Sequence, residues 1–225
     1  KKLVLDFSQL RPAGERLKGY GWISSGDEAI SVAYVAIANI LNGRADSLLT
    51  RMDILDIVNW LGTILSSRRS AEIALFEYGE PEWQEFAIAK KDWWMHNNAH
   101  RTQSNNSLVF RTKPLRKELE DIFKLMEEAG GSEPGFINAE EALRRAPWFK
   151  GCNPCVEILL GNKSFCNLTE VDLGKFKGNM AGLFDALRLA ARANYRQTCV
   201  NLKDGILQEA WHINNYFLRL CGVGI

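Results

Sequence analysis

The sequence predicts an α/β protein with a largely parallel sheet. Short apolar runs of strand length alternate with longer segments of helical periodicity, and glycine, asparagine and proline punctuate the joins. A chain of 225 residues suffices for one substantial α/β domain or two small ones. Hydrophobic content of 46%, charged content of 24% and a formal net charge of +1 are those of an ordinary globular chain. That balance gives no electrostatic case for nucleic acid or an anionic membrane as the main partner. The longer apolar helical segments carry Asp, Asn, Arg or Lys, so none reads as a membrane span. The apolar run after Lys1-Lys2 is too short for a secretory signal.

The elements follow in chain order. Residues 17–26 mix glycine and serine with aromatics and read as a loop. Asp27 then caps a helix with the apolar stripe Ile30, Ala33, Tyr34, Ile37 and Leu41, and Asn42-Gly43 stops it. Thr50 caps a second helix, Met52 to Ser66, in which Ile54, Ile57, Val58, Leu61 and Leu65 recur at helical spacing. Ala71 to Phe76 is a buried strand. Ser104-Asn105-Asn106-Ser107 reads as a turn or cap ahead of the strand Ser107 to Phe110. Pro114 to Ala129 is an amphipathic helix with Leu119, Ile122, Phe123, Leu125 and Met126, closed by Gly130-Gly131. Gly135 to Asn138 and Cys155 to Leu160 are further strands; Phe176 to Arg192 and Ile206 to Leu220 are helices. No repeat, low-complexity tract or linker divides the chain, so residues 1–225 read as a single domain.

Chemistry concentrates in Asn153-Pro154-Cys155-Val156-Glu157. In an extended backbone, side chains i, i+2 and i+4 share one face, so Asn153, Cys155 and Glu157 project together. A second thiol, Cys166, lies eleven positions after Cys155. The odd set of 5 cysteines argues for reduced, cytosolic thiols rather than a disulfide scaffold. Three readings stay open on the residues alone. Cys152 and Cys155 form a CxxC, which suits a non-catalytic module binding zinc or a redox partner, although no second CxxC completes a zinc site. Buried inert cysteines are the plainest reading. An amide, a sulfur and a base in one small volume make a reaction site the third. Upstream, Arg68-Arg69-Ser70 sits where a helix hands over to a strand. It suits either bidentate phosphate contacts or a solvated helix C-terminus.

These stretches, taken in order with Ser25-Gly26-Asp27-Glu28-Ala29, Glu133-Pro134-Gly135-Phe136-Ile137-Asn138 and Cys166-Asn167-Leu168-Thr169-Glu170-Val171, resemble the central part of a ribonucleotide reductase large subunit. The similarity is greatest to the adenosylcobalamin-dependent (class II) enzymes, and among them to the monomeric ribonucleoside-triphosphate reductases. The resemblance implies part of a ten-stranded α/β barrel, a cytoplasmic location, adenosylcobalamin as cofactor and no metal site. It implies a ribonucleoside triphosphate substrate, a deoxynucleotide effector and a thioredoxin-type reductant. Cys155 matches the cysteine that becomes a thiyl radical and abstracts the ribose 3′-hydrogen, and Glu157 the base at the 3′-hydroxyl. Asn153 matches the amide on the ribose, and Cys166 one of two thiols that reduce the 2′-position. Arg68, Arg69 and Ser70 resemble the loop that communicates between substrate base and effector. The chain departs from the family in carrying Val156 where glycine is common, Ser66 and Ser67 where glycines are frequent, and Cys152 where no role is assigned. The thiol partner of Cys166 is expected before Lys1 and the shuttle cysteines beyond Ile225, so the segment is read as a fragment, a split-gene piece acting with companion pieces of the same enzyme, or an inactive remnant.

Overall fold

The computed structural model describes residues 4–18, 23–64, 72–201 and 207–225. The chain divides into two compact units, Lys1–Glu140 and Glu141–Ile225. Both contain parallel strands joined through helices, so the molecule is mixed α/β, and the second unit adds an antiparallel strand pair. No helix among the described residues is long and apolar enough to cross a membrane.

In the first unit, β1 (Glu72–Glu77), β2 (Ser104–Phe110) and β3 (Gly135–Asn138) lie side by side in that order and run parallel. Parallel neighbours need long crossovers. The crossover from β1 to β2 carries α3 (Trp83–Ala87) and a 3-10 turn (Ala99–Gln103), and that from β2 to β3 carries α4 (Arg116–Ala129). Leu108 and Phe110 of the central strand pack with Phe76, Phe86 and Ile122, and with Met52 and Leu55 of α2 (Arg51–Thr63). Helix α1 (Glu28–Gly43) precedes α2.

Ser104-Asn105-Asn106-Ser107 is not a turn but the first half of β2, with Ser104, Asn106 and Ser107 no more than 2% exposed. β1 pairs with the whole of this stretch and β3 from Ser107 onward, and Ser104 Oγ donates to Asn106 Oδ1 at 2.7 Å, so Ser104 and Asn106 satisfy each other in burial. Gly135 permits the close approach of β3, because a Cβ there would stand 2.6 Å from Ser107 Oγ.

The helix boundaries follow local chemistry. Thr50 Oγ1 accepts from Asp53 N at 3.0 Å while Asp53 Oδ2 accepts from Thr50 N at 2.8 Å, a complete capping box for α2. Gly130, at φ 66°, ends α4. Asp27 occupies the N-cap of α1 without a side-chain cap bond. The buried face of α2 is Met52, Leu55, Asn59 and Gly62, whereas Ile54, Val58 and Leu61 of the apolar spacing are exposed.

In the second unit, which α5 (Ala139–Arg145) enters, β4 (Gly151–Cys152) pairs antiparallel with β5 (Leu159–Leu160). The expected strand Cys155 to Leu160 is therefore confined to its last two residues. β6 (Asn167–Glu170) and β7 (Cys221–Gly224) pair in parallel, and α6 (Met180–Gln197) and α7 (Glu209–Leu218) lie between them in sequence. β6 has no apolar run that would announce it, and β7 alternates glycine with Cys221 and Val223. Helix α6 begins at Met180 rather than Phe176, because Gly178 turns at φ 75° and Asn179 accepts from Gly182 N at 2.9 Å. The fully buried Asn194 donates from Nδ2 to Asn167 O at 3.1 Å and to Gly222 O at 2.6 Å, fastening α6 to both strands.

One polar cluster in the first unit escapes sequence patterning. Asp56 of α2 accepts from Arg101 Nε at 2.6 Å and Nη2 at 2.8 Å, and His100 Nε2 stands 2.8 Å from its Oδ1. His100 also stacks on Trp60, ring centroids 4.4 Å apart. Burial opposes the Asp56 charge, but hydrogen bonds from Arg101 and His100 and their charges outweigh it, holding the carboxyl at about 2 against an ordinary 3.8. A depressed carboxyl pKa contributes stability above the unfolded value and loses it as pH falls through the folded one. Asp56→Asn is expected to lower stability by about 2 kcal/mol at neutral pH. That deficit should shrink between pH 4 and pH 2 in denaturant titrations of both chains; a deficit constant with pH removes Asp56 as its source.

Candidate active site

Residues 153–158 form the loop between β4 and β5. Asn153 and Pro154 open it: Val156 N donates to Asn153 O at 2.9 Å, closing a turn with Pro154 in its second position, where its fixed φ suits type I and II turns. The extended pentapeptide expected from alternation is thus a turn, and Asn-Pro was the signal for it. Val156, last of the turn, sits at φ 70°. This position favours glycine, and a β-branched side chain there is strained.

The side chains converge nonetheless, by a different route. Asn153, 3% exposed, donates from Nδ2 to Glu157 Oε1 at 2.5 Å, and the same nitrogen lies 3.6 Å from Cys166 Sγ. Its Oδ1 accepts from Ile158 N at 3.0 Å. Cys166 immediately precedes β6. One buried amide therefore gathers the carboxylate, the second thiol and the loop backbone. Cys155 is exposed, and its charged form would oppose ionisation of Cys166. Arg68, Arg69 and Ser70, with Ser66 and Ser67, lie outside the described residues.

Electrostatics sets the state of the sulfurs. Partial desolvation of the surface-exposed Cys166, then the Glu157 carboxylate, pushes its thiol up; the Asn153 hydrogen bond opposes this and Cys155 adds to it. Burial and Glu157 push Cys152 up as well. The attacking thiol of a thioredoxin-type CxxC has a lowered pKa, set by a helix N-terminus or a cation. Cys152 and Cys166 are instead kept as S–H, the form that retains a hydrogen atom. Among the described residues no three His, Cys, Asp or Glu side chains come together as a metal-binding set.

An α/β scaffold carrying a thiol-rich site, with an amide and a carboxylate built into it, is the class of protein defined by the fold and the site. The particular relatives are adenosylcobalamin-dependent ribonucleoside-triphosphate reductases. That of Lactobacillus gasseri is 34% identical over 213 residues, covering 88% of this chain and 27% of that protein. That of Lacticaseibacillus paracasei is 34% identical over 189 residues, 76% of this chain and 24% of its own. That of Lactobacillus helveticus is 33% identical over 216 residues, 88% of this chain and 27% of its own. The chain is a homologue of one segment of these reductases and spans about a quarter of the length of the relatives it matches. No family model matches the chain. No solved structure matches it significantly. Neither the geometry nor the relatives support the zinc-module reading.

The strain at Val156 is measurable. A left-handed non-glycine residue costs roughly 1–2 kcal/mol, and glycine gives back roughly 0.4–1 kcal/mol through the unfolded chain. Val156→Gly is therefore expected to leave the protein as stable or up to about 1 kcal/mol more stable, and Val156→Ala to gain nothing. Urea midpoints compare them; a clear loss with glycine refutes the strained turn.

Proposed function

We propose that the chain is the catalytic-core segment of an adenosylcobalamin-dependent ribonucleoside-triphosphate reductase, reducing ribonucleotides to deoxyribonucleotides by a thiyl-radical mechanism. The supporting observation is the hydrogen-bonded group of Asn153, Glu157 and Cys166, together with the exposed Cys155. In this reading residues 1–225 are a partial catalytic domain of a ten-stranded α/β barrel, completed by companion segments of the enzyme. Exposed apolar side chains such as Ile54, Val58 and Leu61 on α2, and Met180 and Phe184 on α6, support it, since patches of that kind mark surfaces meant for further protein.

Adenosylcobalamin is the implied cofactor. The feature that fits it is Cys155, whose thiol stands exposed on a turn from which a hydrogen atom can leave. When bound, the cofactor supplies the homolysis that makes a radical available to that thiol. The protein's own groups do the rest. The Cys155 thiyl takes the ribose 3′-hydrogen, and Glu157 accepts the proton of the 3′-hydroxyl. Reaching that proton requires hydrogen-bond distance, and Asn153 fixes the carboxylate within the loop. Asn153 also offers the ribose the amide hydrogen that faces Cys166 Sγ in the unliganded chain. The 2′-hydroxyl leaves as water, and two electrons come from Cys166 and a partner thiol, which are oxidised to a disulfide. A raised Cys166 pKa suits this role, because a protonated thiol delivers hydrogen. Exclusion of water and competing reductants protects the radical. Arg68, Arg69 and Ser70 link the substrate base to a deoxynucleotide effector, a thioredoxin-type protein re-reduces the disulfide, and the enzyme works in the cytoplasm.

With the remaining segments of a family reductase supplied, Cys155→Ser is expected to abolish deoxyribonucleotide formation, and Cys166→Ser to block normal reduction at the 2′-position. Normal turnover by the Cys155→Ser protein, measured as deoxynucleotide per enzyme with adenosylcobalamin present, sinks the assignment.

A further inference from the structure

The packing of α6 on β6 and β7 brings together two stretches of chain that each carry a cysteine outside this site, Cys199 and Cys221. Parallel partners face the same side of a sheet, so Cys221, opposite Asn167, shares a face with Asn167 and Thr169. That face is the one α6 covers, because Thr169 Oγ1 donates to Ala190 O at 3.3 Å. Along α6 the contacts step down the strands: Ala190 meets Thr169, then Asn194 meets Asn167 O and Gly222 O. The next helical turn reaches Thr198, 1% exposed. Its carbonyl accepts from Asn215 Nδ2 at 2.7 Å and from Arg219 Nη1. This clamp holds together the two stretches of chain that carry Cys199 and Cys221. Both thiols are free and exposed.

We propose that Cys199 and Cys221 form a redox-active dithiol, which takes a small-molecule disulfide as oxidant and closes into a bond between the C-terminal end of α6 and β7. The thiolate of one cysteine attacks a sulfur of oxidised glutathione and expels one glutathione thiolate, which takes up a proton. The thiolate of the other cysteine then attacks the protein sulfur of the mixed disulfide and expels the second glutathione. The protein loses two electrons and two protons, which end on the two glutathione thiols. The electrostatics is consistent with this arrangement: partial desolvation and then the Cys199 charge raise Cys221, while Arg219 favours its thiolate. Since β7 pairs with β6 and Asn167 follows Cys166, the bond braces the strand next to the Cys166 thiol. The pair rests on the geometry of the second unit alone and stands whether or not the reductase reading does.

The test incubates the 225-residue chain with oxidised glutathione, blocks remaining thiols with N-ethylmaleimide and maps the cysteines by peptide mass spectrometry. The expected result is a Cys199–Cys221 cross-linked peptide pair that dithiothreitol reverses. In Cys199→Ser and Cys221→Ser that pair is lost, and the remaining cysteine of each keeps a glutathione. Retained glutathione on both cysteines of the unaltered chain, no reaction at either, or a bond from either to Cys152, Cys155 or Cys166 overturns the proposal.

Discussion

The Asn153 side chain is the interaction on which the site depends. A short amide has two donor hydrogens and an acceptor oxygen, and here they serve Glu157, Cys166 and the Ile158 amide. The loop from 153 to 158 lies between strands of only two residues each, so ladder hydrogen bonds do little to hold its shape. A buried side chain does that work. The thiols take their state from the same arrangement, because the carboxylate that Asn153 holds is the charge that, after desolvation, raises Cys152 and Cys166. Geometry and protonation are therefore one fact: moving Asn153 would loosen the loop and change the sulfur chemistry together.

Parallel pairing is the second constraint, and it explains where the helices lie. β1, β2 and β3 share one direction, as do β6 and β7, so each connection must cross back over a sheet face. Polar side chains secure those crossings. Asn194 ties α6 to both strands of its pair, and Asp56 ties α2 to the turn that leads into β2 through Arg101 and His100. Buried hydrogen bonds of this kind add less to stability than to register, since their alternatives leave unpaired groups behind. On α2 the division is unusual, with Asn59 buried and Ile54, Val58 and Leu61 open.

Much of the architecture was legible in the residues. Thr50 and Asp53 mark the start of α2, Gly130 the end of α4, and the apolar runs place β1 and β3. These are local signals, in which a cap or a left-handed stop acts within one turn of chain. Four features were not legible, and all are long-range. Ser104 to Ser107 became strand because β1 pairs along its whole length; β6 and β7 exist only through each other; α2 turned Asn59 inward; and Asp56 found Arg101 across the fold.

The candidate site divides along the same line. By itself the sequence determined which chemical groups are present, Asn153, Cys155, Glu157 and Cys166, and the six stretches in order that include them carried the resemblance that the relatives bear out. Only the tertiary structure decided how they meet. Alternation along an extended strand would have aligned Asn153, Cys155 and Glu157 on one face; instead Pro154 and the left-handed Val156 bend the loop, and the Asn153 amide draws Glu157 and Cys166 together. The reason is physical: a backbone period fixes directions only within a regular element, whereas in a turn the side-chain hydrogen bonds that burial demands determine where each group points.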